Sequence, residues 1–221
     1  MPGRRPTRSV ADRIGPLSDP IKPAQRLSVQ ARLEGMTRAL IVIDVQESFR
    51  ARPDWAQTNN PGITGQVNRL LRLARAAGDT VVWVLHSEPG SGDVFDPALG
   101  HVRLMAGLER KDDELLIHKT SHNAFTTTNL QQELTLRGVR ELTICGIRAE
   151  QCVETTTRVG SDLGYEVTFV SDATATNPIT RDGVTLSAEE IIQRTEFALA
   201  DRFATIATVA ELEERAAEEG R

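Results

Sequence analysis

From Arg38 onward the chain alternates short apolar, β-branched runs with segments of helical period, and few folds accept that alternation. The runs are residues 39–44 (ALIVID), 80–86 (TVVWVLH), 114–119 (ELLIHK), 141–146 (ELTICG), 165–171 (YEVTFVS) and 203–209 (FATIATV). Each is almost continuously hydrophobic, as expected of strands covered on both faces. Between them, residues 63–78 place Val67, Leu70, Leu71 and Ala74 on one helical stripe, and Gly78 supplies a stop. Residues 127–138 form a second helical segment, with Thr128 or Asn129 as cap and Gly138 as terminator. Residues 152–164 form a third and 187–202 a fourth, the last opening on a Ser-Ala-Glu-Glu capping-box pattern, and the acidic tail from Glu211 adds a short helix. The expected fold is therefore α/β, a single-domain, Rossmann-like open sheet of about six parallel strands with helices on both faces.

Residues 1–35 carry several Arg and Pro without apolar periodicity, and they lack the hydrophobic region of a secretory signal. They read as a flexible arm ahead of a domain over 36–221, and Met36 offers an alternative translation start. A net charge of −5 provides no field for nucleic acid or an anionic membrane, and no apolar run is long enough to span a bilayer. The cysteines, Cys145 and Cys152, give neither a disulfide framework nor a zinc pattern, which fits a reducing cytoplasm. A small-molecule partner is the expectation, with no cofactor and no metal.

The chemistry-bearing residues sit where an open α/β sheet binds ligands, outside the carboxyl ends of its strands. Asp44 ends the first run and Lys119 the third, while Cys152 follows the fourth through the turn GIRAEQCV. Each has a plain structural alternative: a loop-capping aspartate, a solvated lysine, a buried inert thiol. Inertness suits Cys145, inside its strand. Cys152 is expected at a helix start, where the dipole would lower its pKa. Taken together, an acid, a base and a nucleophile delivered by separate strands to one edge point to acyl transfer.

Three ordered motifs carry a resemblance to the isochorismatase-like cysteine hydrolase family, which includes nicotinamidases, N-carbamoylsarcosine amidohydrolases, and ureidoacrylate and biuret hydrolases. They are IVIDVQESF (41–49), KTSHNAFTTTNL (119–130) and CGIRAEQCVETTTR (145–158), within a resemblance spanning residues 38–209. The resemblance implies Asp44 as general base, Lys119 as the triad lysine and Cys152 as nucleophile. It also implies a cis peptide at Ile147–Arg148, with the backbone N–H groups of Arg148 and Cys152 forming the oxyanion hole, and a homo-oligomer, dimer or tetramer. The metal-binding histidine of nicotinamidases has no counterpart in ARPDWAQTNNPGITG (51–65), which disfavours a metal-dependent nicotinamidase.

Around such a site, Phe49, His86, Phe95, His122, Phe125 and Gln151 are expected to bind substrate; Glu150 either selects substrate or orders its turn. Trp83 belongs to the core, His118 to packing or the surface, and His101 to a solvated helix. The expected activity is hydrolysis of a C–N bond in a small amide, carbamoyl or urea-like substrate through a thioester. Vinyl-ether hydrolysis of the isochorismatase type and a non-catalytic binding or scaffold role are the alternatives. A haloacid-dehalogenase-like reading wants a second Asp where Gln46 stands.

Overall fold

The computed structural model describes residues 37–219. The expected arm and the start at Met36 lie outside the described residues. The strands are β1 (Thr37–Ile43), β2 (Thr80–His86), β3 (Leu115–Lys119), β4 (Val139–Ile147), β5 (Glu166–Ala175), β6 (Ile179–Arg181), β7 (Val184–Leu186) and β8 (Thr205–Ala207). Between them run α1 (Glu47–Arg50), α2 (Ile63–Ala77), α3 (Leu130–Leu136), α4 (Glu154–Asp162), α5 (Ala188–Leu199) and α6 (Val209–Glu219). The main sheet has the order β3-β2-β1-β4-β5-β8 with every pairing parallel, as the apolar runs imply. Among the described residues no helix is long and apolar enough to cross a membrane.

Strand period sorts the core into two layers. Ala39, Ile41 and Ile43 of β1 face Leu130 and Leu134 of α3 and Leu199 of α5. Leu40 and Val42 face the opposite way, against the stripe Val67, Leu70, Leu71 and Ala74 of α2 and Val209 of α6. Trp83 is fully buried in this second layer, and its indole N–H donates to Glu114 at 2.8 Å.

Local signals explain some of the helix ends. Gly78 closes α2 in the left-handed conformation, its N–H bonded back to Ala74 and Arg75. Ser187 caps α5 in a full capping box with Glu190. The second helical segment is shorter than its sequence suggests: Thr128 donates its hydroxyl to the Ala124 carbonyl and accepts from the Leu130 N–H, so residues 127–129 form a turn. The final strand is likewise trimmed to Thr205–Ala207. His101 is not helical; it follows the short 3-10 turn Pro97–Leu99.

The β6–β7 hairpin was absent from the sequence expectation. Asp182 and Gly183 join its strands, both with positive φ (52° and 79°), the geometry of a type I′ turn. The Asp-Gly pair is the local signal that identifies it.

One glycine fixes how β4 meets β1. Gly146 has φ 137°, and a Cβ there would lie 1.9 Å from the Ile43 carbonyl oxygen, its register partner's own backbone. Gly146→Ala is expected to destabilise the fold by roughly 3 kcal/mol or more. A thermal melt should show the midpoint falling by about 6 °C or more; an unshifted melt would contradict the close approach.

Candidate active site

The strand order reverses between β1 and β4, so a crevice opens at their carboxyl ends. Asp44 leaves β1 there with φ 55°, a left-handed conformation that breaks the strand alternation. Lys119 is the last residue of β3, two strands away, and reaches across the end of β2 beside His86. Its Nζ lies 2.7 Å from Asp44 Oδ2 and 3.3 Å from Cys152 Sγ, with His86 Nδ1 at 3.4 Å. Both charged side chains are fully buried. The approach of Lys119 to Asp44 is oblique, a close ion pair without the angles of a directed hydrogen bond.

Cys152 does not begin a regular helix. It sits in a π-helical turn, Ala149–Val153, whose Gln151 and Val153 N–H groups both donate to the Arg148 carbonyl at 3.2 Å, and α4 starts only at Glu154. The expected lowering of the thiol pKa is overturned. Burial, reinforced by the Asp44 charge, pushes the Cys152 thiol up to about 12, and Lys119 offsets this only in part. Burial also raises the Asp44 carboxyl above its ordinary value, against the opposing pull of Lys119, the thiol and His86. The resting sulfur at neutral pH is therefore a thiol. Cys145 is enclosed in β4 with its thiol likewise raised to about 12 by burial, matching its expected inertness.

The peptide Ile147–Arg148 is cis. The turn after it is tied down by Glu150, whose Oε2 accepts from the Thr176 hydroxyl at 2.6 Å. Glu150 thus orders the turn, while Gln151 reaches the crevice.

The crevice is a cavity of about 200 Å³. Asp44, Cys152, Phe49, His86, Phe95, His122 and Gln151 line it. Phe49 meets Phe95 edge-on at 5.1 Å, Phe95 meets His86 at 5.5 Å, and the His86 and His122 rings stack at 6.3 Å. Phe125 does not reach it. Its ring stacks on Tyr165 at 6.0 Å and packs near Gly160 of α4, where the missing side chain leaves room. His118 is exposed on β3.

Sequence reasoning missed three other groups on the wall: Arg52, Glu88 and the guanidinium of Arg148. Arg52 and Arg148 share Asp54, at 3.2 and 2.5 Å, and Glu88 holds His86 Nε2 at 3.0 Å. No periodicity marks them: Arg52 and Glu88 have partners two residues away but face the cavity only through the fold, and Arg148 meets Asp54 from 94 positions away. A larger depression, about 590 Å³, lies near the amino ends of β4, β5 and β8; it contains neither the thiol nor the ion pair. Among the described residues no cluster of His, Cys, Asp and Glu could hold a metal ion.

Lys119→Met should leave Asp44 buried and unpaired, costing about 3–5 kcal/mol of stability at neutral pH. Loss of the ammonium raises the folded-state pKa of Asp44 further above its unfolded value. The protonated carboxyl then favours the fold, so the penalty shrinks as pH falls and is full once Asp44 must ionise. Denaturant titrations at neutral and acidic pH check both size and sign; a loss that grows on acidification would refute this account.

Comparison with known proteins agrees with this architecture. A family model described as the isochorismatase domain matches residues 38–211. The isochorismatase family protein YrdC of Bacillus subtilis is 32% identical over 176 residues, covering 79% of this chain and 94% of that protein. The ureidoacrylate amidohydrolase RutB of Caulobacter vibrioides is 29% identical, covering 72% of this chain and 84% of its own length. The crystal structure of an isochorismatase from Pseudomonas putida superposes with a TM-score of 0.73 at 32% identity, over 79% of this chain and 89% of that one. By fold, motif order and extent of match, the chain belongs to the isochorismatase family of hydrolases.

Proposed function

We propose that this hydrolase cleaves a C–N bond in a small amide, carbamoyl or urea-like substrate through a thioester on Cys152, without a metal. One observation carries the reading: the Lys119 ammonium touches both ends of a proton path, Asp44 Oδ2 at 2.7 Å and Cys152 Sγ at 3.3 Å. Moving the thiol proton to Asp44 exchanges carboxylate and thiol for carboxylic acid and thiolate. The net charge of the buried trio is unchanged, and the same ammonium serves both states.

With the thiol pKa near 12, a free thiolate is not stored. Asp44 takes the proton as sulfur attacks the carbonyl carbon, so negative charge passes to the carbonyl oxygen, where the N–H groups of Arg148 and Cys152 receive it. The tetrahedral intermediate collapses as Asp44 returns the proton to the leaving nitrogen, giving a thioester and free amine or ammonia. Asp44 then activates water for hydrolysis of the thioester, which restores the thiol. Lys119 keeps the carboxylate oriented throughout. The C–N chemistry also agrees with the name of one relative, an amidohydrolase.

A panel of small amides, carbamates and ureas assayed for ammonia release tests this reading. Cys152→Ala should lower kcat/KM by about a thousandfold or more while Cys145→Ala retains activity; full activity in Cys152→Ala would remove the covalent step. Chelators should have no effect.

The pH profile gives an independent check. Asp44 must be ionised to accept the proton, so kcat/KM should rise with pH along an acid limb. Burial raises this carboxyl, placing that limb above the ordinary carboxylate value of 3.8. A limb at or below the ordinary value would argue against Asp44 as the base.

A further inference from the structure

The proton path leaves two guanidinium groups on the cavity wall without a task. Arg148 is 9% exposed and Arg52 is more open, and both grip the single carboxylate of Asp54. Burial tends to raise that carboxyl, but the hydrogen bonds and charges of Arg52 and Arg148 outweigh it and hold Asp54 below its usual range. One carboxylate between two guanidinium groups leaves the Arg52–Asp54–Arg148 cluster one positive charge in excess, with Glu88 further along the wall beside His86. Among the hydrogen bonds of the described residues, the Arg52 guanidinium donates through Nε alone and that of Arg148 through Nη2 alone. A guanidinium carries five N–H donors in a planar fork, so donors remain on both.

The wall is fixed in place. Asn177 donates its amide to the Asp54 carbonyl, and Asn59 pairs with Thr176 through N–H to carbonyl at 3.2 Å and Oδ1 from N–H at 2.9 Å. Thr176 in turn holds Glu150 of the nucleophile turn. Two further carboxylates line the cavity: Asp44, paired with Lys119, and Glu88, 3.0 Å from His86 Nε2. The cavity, at about 200 Å³, is smaller than the pockets that take drug-sized ligands.

We propose that Arg148, backed by Arg52, is a subsite for a carboxylate on the substrate, so that the chain acts on a small amide bearing an acid group a few bonds from the scissile carbonyl. The nature of the scissile bond rests on the function proposed above; the anion subsite itself does not. A carboxylate would meet the free N–H groups of Arg148 in the paired geometry that guanidinium favours. Asp54 holds both guanidinium groups in place before substrate arrives, which lowers the ordering cost of binding.

Calorimetry on Cys152→Ala, which cannot turn over, provides the test, with succinamate and its neutral isostere succinamide as probes, and malonamate and glutaramate as shorter and longer homologues. The acid of best-fitting length should bind about tenfold or more tighter than the neutral diamide, an advantage that weakens with added salt. Adding Arg148→Met or Arg52→Met should erase most of that advantage, and Arg148→Lys should restore part of it. Equal or tighter binding of the neutral amide, an advantage that survives both arginine substitutions, or no saturable binding of any of the acids overturns the subsite. Cys152-dependent hydrolysis of neutral amides without acid preference would reject the subsite and keep the hydrolase. Acid-selective binding without Cys152-dependent hydrolysis would do the reverse.

Discussion

The buried ion pair of Asp44 and Lys119 is the constraint around which the functional end of the sheet is arranged. Their strands are separated by β2, a lateral span of about 9–10 Å at ordinary strand spacing. A long side chain is needed to bridge it, and Lys119 does so at the end of β2, beside His86, arriving 2.7 Å from the carboxylate. A buried pair of this kind is close to neutral against an apolar pair of the same shape, so stability alone gives no reason for it. In the proposed function its contribution is chemical: the Lys119 ammonium offsets part of the burial that raises both the Asp44 carboxyl and the Cys152 thiol.

That arrangement depends on sheet order. Because β1 and β4 are neighbours whose onward connections run to opposite sides, the chain leaving β1 at Asp44 and the chain leaving β4 toward Cys152 diverge and open the crevice between them. Gly146 permits the two strands to close at this point, with the Ile43 carbonyl occupying the space of a side chain. The packing of one glycine and the position of the thiol are thus parts of one local geometry.

The turn carrying Cys152 is held by its neighbours more than by its own sequence. Thr176 at the end of β5 bonds Glu150 and the segment 58–59, while Asp54 bonds Arg148 across the crevice. On the far side, Glu154 at the start of α4 is buried among Arg158, Arg194 and Thr195, tying α4 to α5. Phe125 was expected in the crevice because it follows Lys119 closely in sequence. It packs instead at Gly160 and stacks on Tyr165, half-buried against the core layer.

Hydrophobic runs, helical stripes and capping residues are local properties, so the sequence by itself determined the parallel sheet, the span of α2, the capping box of α5 and the delivery of Asp44, Lys119 and Cys152 to strand ends. The Asp-Gly hairpin was equally local and was legible to a closer reading. Tertiary structure alone decided the titration of the thiol, because the helix-dipole expectation ignores the desolvation that depends on everything packed around it. It also decided that Phe125 belongs to the core and that Arg52 and Arg148 face the cavity. Arg148 is set by its contact with Asp54, 94 positions away, and Phe125 by contacts with Gly160 and Tyr165, 35 and 40 positions away, so no short window of sequence contains both partners.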